Sequence, residues 1–445
     1  CSSLSSVEIG NSVTTIGSGA FKSCSKLGSI DIPASVTSIF EEVFVGCTKL
    51  TAINVAEGNT VYSSLDGVLF DKAREVLYTC PAGREGQYTI PSSVITIPEN
   101  AFYGCAALSS IEIPSSVTTI GNLAFSQCNS LVSINIPASV TTLGRAVFFG
   151  STRLTAINVA EGNEVYSSLD GVVFDKSGEV LYLFPTGREG HYAVPSSATK
   201  IGINAFSGSV GLTSVEIPES VTEIGERAFL RSNALTSVEL PSSVTSVGEY
   251  AFAGCEALTE VTLGSSMTSV SSYMFTQCPT LTSVKIPDSV TEIGEGAFSY
   301  CPALTSVKIP SSITVISKYA FYECVGLTSV EIPSAVTEIG SEAFENCYGL
   351  TSVYYGAETL IKADGFVFMG WEFDIYYNAT LYVRESALPQ AETVTPWCLF
   401  MHREAYNFDS AVADIAADTI APVEVYTLSG VKVATSTDAL PTGVY

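Results

Sequence analysis

Histidine is nearly absent from this chain, with His191 and His402 the only two in 445 residues. That removes most routes to general-base chemistry at neutral pH and to imidazole-ligated metal. No G-x-S-x-G, H-E-x-x-H, phosphate-loop or dinucleotide fingerprint occurs, and no C-x-x-C pair or Cys/His cluster suggests a metal site. Basic residues are also scarce: 20 Lys and Arg face 45 Asp and Glu, a net charge of −25. A nucleic-acid partner would need the opposite balance, since phosphates are bound by Lys and Arg. An anionic membrane surface is disfavoured for the same reason, while solubility and cationic partners are favoured. There is no run of about 18 apolar residues, so no membrane-spanning helix is expected. No secretory leader pattern opens the chain. Its first residues are already in repeat phase, which points to a piece trimmed from a longer sequence.

What the chain does have is a 23-residue period. Leu recurs at that step from Leu4 to Leu50, from Leu108 to Leu154 and from Leu212 to Leu350, with two steps of 58 between the blocks. The consensus is L-T-S-V-E-I-P-S-S-V-T-E-I-G-E-x-A-F-x-x-C. Its first part alternates apolar and polar as a strand does, and is rich in β-branched residues. One strand per unit predicts a parallel ladder with rungs about 4.8 Å apart. Pro follows where the ladder must stop, because it has no N–H to donate. A hydroxyl column comes next, Ser12 to Ser312 with Ala335 as its exception, and is expected to satisfy backbone groups in a tight bend. The V-T-x-I-G segment predicts a second short extended piece on the opposite wall. Phe then recurs without exception from Phe21 to Phe344, which predicts a spine of stacked rings. A single unit cannot bury its own apolar face, so neighbours must do it for one another.

Cysteine is used in phase with this repeat. Cys1, Cys24, Cys47, Cys105, Cys128 and a run from Cys255 to Cys347 sit three residues after the Phe position, where Ser151, Ser209 and Ser232 replace it. A parallel column points its side chains the same way, whereas a disulfide needs converging Cβ vectors. The expectation is therefore a buried ladder of reduced thiols. Cys80 and Cys398 fall outside the column.

Each 58-residue unit holds an insertion, about 56–90 and 160–194, and the two are near-copies 104 residues apart. In each, strands at 67–70 and 76–78, or 171–174 and 180–183, predict a β-hairpin and a longer rung, not a separate domain. Asp66-Gly67 and Asp170-Gly171 are read as turn dipeptides, not as acid or metal groups. After Leu350 the pattern decays. Residues 379–400 are expected to close the stack as a cap ending near Trp397. Residues 411–445 are expected to form a small hairpin around Ser429-Gly430.

The repeat I-P-x-S-V-T-x-I-G-x-x-A-F-x-x-C resembles the BspA-like bacterial leucine-rich repeats, over residues 4 to about 349. The insertions and the "ATLYV…W…F" block are similar to variants of that family, and "VYTLSGVKV…LPTGVY" resembles an export or sorting segment of Bacteroides-type bacteria. The resemblance implies an α/β solenoid. It would be a right-handed stack with a parallel β-ladder over residues 1–350, a terminal repeat and cap over 351–410, and the small tail over 411–445. It also implies a non-catalytic protein, secreted or attached to the outer surface, of a family that adheres to host extracellular proteins, host receptors or other bacteria. The partner expected is a host extracellular or bacterial surface protein, or, on the alternative reading below, a glycan. No cofactor, metal or membrane insertion is implied, and a monomer is expected.

Candidate binding residues come from the outward strand column. Glu216, Glu239 and Glu331 are acidic there, and Lys285 and Lys308 form a basic step between them, flanked by hydroxyl residues such as Thr236, Thr282 and Thr305. Short polar residues also serve simply to keep a sheet soluble. Glu216 and Glu239 would stand about 5 Å apart, near a retaining-glycosidase spacing, but repetition alone stacks such acids. Tyr250, Tyr273 and Tyr319, two before the Phe column, form a second candidate surface. A carbohydrate-binding alternative would use exposed aromatic platforms, for which Tyr62 and Tyr166 are the candidates. A purely structural spacer is the third reading. Asp288-Ser289-Val290 and two similar triplets at 409–411 and 418–420 match a short bacterial O-glycosylation pattern.

Overall fold

In the computed structural model, residues 1–370, 375–408, 425–426 and 432–434 are described. The chain is a stack of strands and turns. Its helical content among the described residues is one four-residue α-helix, Ile375–Asn378, and three single 3₁₀ turns. The architecture is thus a parallel β-solenoid, and the α part of the α/β expectation is minor. The turn residues between the walls replace the helices: Gly, Ser and left-handed residues recur too often for a helix to run. No helix among the described residues is long and apolar enough to cross a membrane.

One wall carries the strands of the L-x-x-V-x-I segment. Ser237–Glu239, Glu260–Thr262 and Ser283–Lys285 pair in parallel, with Val238 opposite Val261 and Val261 opposite Val284. These valines point inward and are buried. The opposite wall is made of two-residue strands from V-T-x-I, such as Thr119–Ile120 paired with Thr142–Leu143. Its hydroxyl column works as expected. Ser116, Ser139, Ser243, Ser289 and Ser312 each donate to a backbone carbonyl one rung earlier, at 2.6–2.7 Å. Ser289 is therefore committed to the bend, and the other two candidate glycosylation triplets lie outside the described residues.

The third side bears the aromatic spine. Ring centroids are 4.6 Å apart at Phe206–Phe229 and 5.0 Å at Phe229–Phe252, with the planes within 5–8° of parallel. The spine continues past the expected last ring, because Phe344 stacks on Phe368 at 5.2 Å. Each fully buried ring contributes roughly 2–3 kcal/mol by area. The residues two before and two after each Phe have left-handed backbone, for example Leu123 and Gln127 around Phe125, and Tyr250 and Gly254 around Phe252. This alternation turns every second N–H toward the next rung. Leu123, Phe125 and Gln127 donate to the carbonyls of Arg145, Val147 and Phe149 at 2.9–3.1 Å.

All twelve cysteines are free. The column thiols are donors as well as fillers. Cys278, Cys301, Cys324 and Cys347 each point at the carbonyl of the Phe 26 residues earlier, at 3.0–3.2 Å. Ser151 and Ser232 make the same bond to Phe125 and Phe206, which explains why Ser substitutes so easily. Burial raises these thiol pKa values, that of Cys278 to about 12.

Each insertion has three antiparallel strands, one more than the hairpin expected: Tyr62–Leu65, Val68–Asp71 and Leu77–Thr79, repeated as Tyr166–Leu169, Val172–Asp175 and Val180–Leu183. The first hairpin turns at Asp66-Gly67, both left-handed. A Cβ on Gly67 would come within 2.9 Å of Ala52, so glycine lets the hairpin lie on the preceding rung. Gly86–Thr89 then rejoins the parallel stack against Leu108–Glu112. Buried Asn59 ties the insertion down. It donates to the Pro33 and Val36 carbonyls and accepts from the Val61 and Tyr62 N–H groups, and Asn163 repeats all four contacts.

Beyond Leu350 the strand ladder adds Ser352–Tyr355, Thr380–Val383 and His402–Ala405. Trp397 is fully buried, stacks on Tyr355 at 4.8 Å and donates to the Ile361 carbonyl. Cys398 begins no ladder; its N–H closes a turn on Val394. In the tail, Val425–Tyr426 and Lys432–Ala434 pair antiparallel.

Two predictions follow from these columns. Ala146 holds φ 49°, where an L side chain costs about 1 kcal/mol or more. Ala146→Gly should raise stability by roughly 0.5–1 kcal/mol in urea unfolding; a loss would contradict the left-handed assignment. The buried thiols are held protonated, so their stabilisation is complete below the unfolded thiol pKa of about 8.5. It is lost progressively as pH rises toward the raised folded values, about 12 for Cys278. The urea midpoint should fall between pH 8 and pH 10.5, and less so in a Cys278→Ala/Cys301→Ala chain; a flat midpoint would refute the account.

Candidate binding surface

The outward strand column faces solvent over most of the stack, because alternate residues of each strand are buried to hold it. Glu216, Glu239, Lys285, Lys308 and Glu331 are all exposed. Register brings Glu239 beside Thr262, Thr262 beside Lys285, and Glu331 beside Tyr354. The Lys285 ammonium lies 3.1 Å from the Glu260 carboxylate, with both side chains more than half exposed. Such a pair is worth at most about 1 kcal/mol and separates easily when a partner approaches. Glu216 lies 3.8 Å from the His191 ring, which also contacts Ser214. The regular ladder on this wall pauses between Ser283–Lys285 and Ser329–Ile332, the stretch that holds Lys308.

Part of the polar surface is already in use. Thr236, Thr259 and Thr282 donate to the carbonyl one rung before, at 3.0–3.2 Å. Asn54 donates to Asp31, and Asn158 to Asn135. These side chains bind rung to rung, so the free recognition groups are fewer than the sequence suggests.

Tyr62 and Tyr166 are not exposed platforms. Both are buried, at 7% and 6% exposure. Their hydroxyls accept the N–H of Ile39 and Leu143, and their rings meet Tyr78 and Tyr182 edge-on. Insertion residues have no repeat phase, so the sequence carried no sign of which way they faced. The aromatic surface lies instead at the far end of the strand column. Tyr354 and Tyr382 stack at 4.7 Å, and Tyr406 meets both edge-on. Tyr354 was in the expected column; Tyr382 and Tyr406 lie where the repeat had decayed. Tyr250, Tyr273 and Tyr319 are half-buried on the turn side. Tyr250 stacks on Tyr273 at 4.8 Å, and Tyr273 lies over Gly296, where a Cβ would collide with its ring.

No group of three or more His, Cys, Asp or Glu among the described residues is arranged to hold a metal ion. The BspA type leucine rich repeat region matches this chain in six copies, across residues 1–66, 84–177, 191–305 and 291–372. Among solved structures, a leucine-rich repeat protein from Eubacterium ventriosum is 25% identical with a TM-score of 0.56, over 75% of this chain and 80% of that one. A leucine-rich repeat protein from Bacteroides ovatus is 27% identical, with a TM-score of 0.41 over 77% and 82%. A leucine rich cell surface protein from Faecalibacterium prausnitzii is 26% identical, with a TM-score of 0.41 over 77% and 83%. No curated protein gives a significant sequence match.

Proposed function

Because the chain belongs to the BspA-type leucine-rich repeat family, we propose that it is a non-catalytic binding scaffold, secreted or held at a bacterial surface. Its partner is a host extracellular or bacterial surface protein, engaged by the exposed strand column, and it acts as a monomer. The observation that carries this reading is the change of sign in that column. Acidic Glu216 and Glu239 give way to Lys285 and Lys308 and then to Glu331, all exposed and spaced by the repeat. Charges that alternate in sign along a surface steer and orient a partner more than they hold it. The core supports the reading by default: repeat side chains that face inward are consumed in stacking and hydrogen bonding, and the outward columns are what remains.

A second reading, carbohydrate binding, rests on the Tyr354, Tyr382 and Tyr406 cluster, whose half-exposed rings offer a face of the kind a sugar ring packs against. The test is binding to a panel of matrix proteins and glycans in low and high salt. Lys285→Glu/Lys308→Glu should weaken protein binding by about tenfold at low salt and abolish most of its salt dependence. If that variant and high salt leave binding unchanged while Tyr354→Ala/Tyr382→Ala removes it, the glycan reading replaces the first. Silence across the panel would leave a structural spacer.

A further inference from the structure

The two insertions share a frame but not an interior. Asn59 and Asn163, Tyr62 and Tyr166, and the hairpins themselves superpose in sequence and in contacts. In the second insertion the space between the Phe148 rung and the insertion is filled. Phe184 takes a place in the spine, 4.8 Å from Phe206. The Thr186 hydroxyl lies within reach of the Phe148 and Ser151 carbonyls. Tyr182 donates to the Leu143 carbonyl, and the Phe149 ring presses so close to Gly208 that a Cβ there would lie 2.9 Å away.

The first insertion keeps the tyrosine, as Tyr78, but replaces the other three. Cys80 stands where Phe184 does, donating the same N–H bond, Cys80 to Ala101 as Phe184 to Ala205. Ala82 replaces Thr186, and Val45 replaces Phe149. A cavity of about 470 Å³ results, between the Phe44 rung and the insertion. Its walls include Phe40, Tyr78 and Tyr103 and the carboxylates Glu41, Glu42 and Glu99, and no Lys or Arg. Phe40 and Tyr78 are 57% and 40% exposed. Glu42 is neutralised by Lys22 at 2.6 Å and Glu99 accepts from Asn122. At the matching places the second copy and its flanking rungs have Gly144, Arg145, Ala146, Ile203 and Ser207, with Tyr182 matching Tyr78. Three carboxylates and the rings of Phe40 and Tyr103 thus stand at the copy whose space is left unfilled, where the other copy has no acid, so the chain's general acidity does not account for them.

We propose that this cavity is a binding site for a small organic cation, an ammonium or guanidinium group on an apolar body. The rings supply faces that attract a cation, the Glu41 and Glu99 carboxylates supply the opposite charge, and the volume suits a small ligand. The site is on the turn side, away from the strand column, and does not depend on what that column binds.

The experiment is a calorimetric titration of the full chain with tyramine and with 4-ethylphenol, its neutral counterpart. Tyramine should bind saturably, and 4-ethylphenol at least about tenfold more weakly. Cys80→Phe, which copies the second insertion, should weaken tyramine about tenfold or more by filling the space. Glu41→Arg/Glu99→Ile changes exposed residues only; it should do the same and decides the matter if the first variant fails to fold. Equal binding of the neutral compound, unchanged tyramine binding in the folded variants, or no saturation by tyramine up to about 10 mM would each overturn the proposal.

Discussion

Within each run of consecutive repeats, every rung depends on one ring lying on the next. The Phe spine fixes the step between rungs, and the bond from Cys or Ser to the preceding Phe carbonyl locks it from the side. Once that step is fixed, the strands on one wall and the V-T-x-I pieces on the other have no freedom of register. A slip by one residue would turn every inward valine to solvent. The stack therefore behaves as a nearest-neighbour system in which each rung is stable only because the next covers it. The same logic requires a lid, and Trp397 with Phe400 provides it over Phe368.

The columns were legible because periodicity converts a one-dimensional pattern into positions on a wall. Strand alternation, the hydroxyl ladder, the spine and the reduced thiols could all be read from spacing. Other features could not. The left-handed pair around each Phe leaves little glycine signal, since Leu123, Tyr250 and Arg231 occupy it as well as Gly254. Its need comes from turning N–H groups toward the next rung, a backbone demand that side-chain identity does not record. Inside the insertions the phase is lost, and Tyr62 and Tyr166 looked exposed when their hydroxyls in fact hold the wall beneath. Cys80 was unreadable alone; only its twin Phe184 reveals that it marks a missing ring.

A repeat scaffold separates stability from function more cleanly than a compact enzyme does. Conformity to the consensus supplies the stacking, so a residue that departs from it has been released from that duty or imposes a cost. Lys285 and Lys308 depart in charge on a surface where the change costs the core nothing. Cys80 and Ala82 depart in volume, inside a rung, where an unfilled space does cost stability. The neighbouring copy shows that Phe184 and Thr186 would have filled it. A void kept open beside a well-packed twin, and lined with carboxylates and with the Phe40 and Tyr103 rings that the twin lacks, is a difference that stacking cannot explain. That asymmetry gives the cavity a stronger claim to a ligand than any single residue of the exposed wall, where a soluble sheet needs polar side chains in any case.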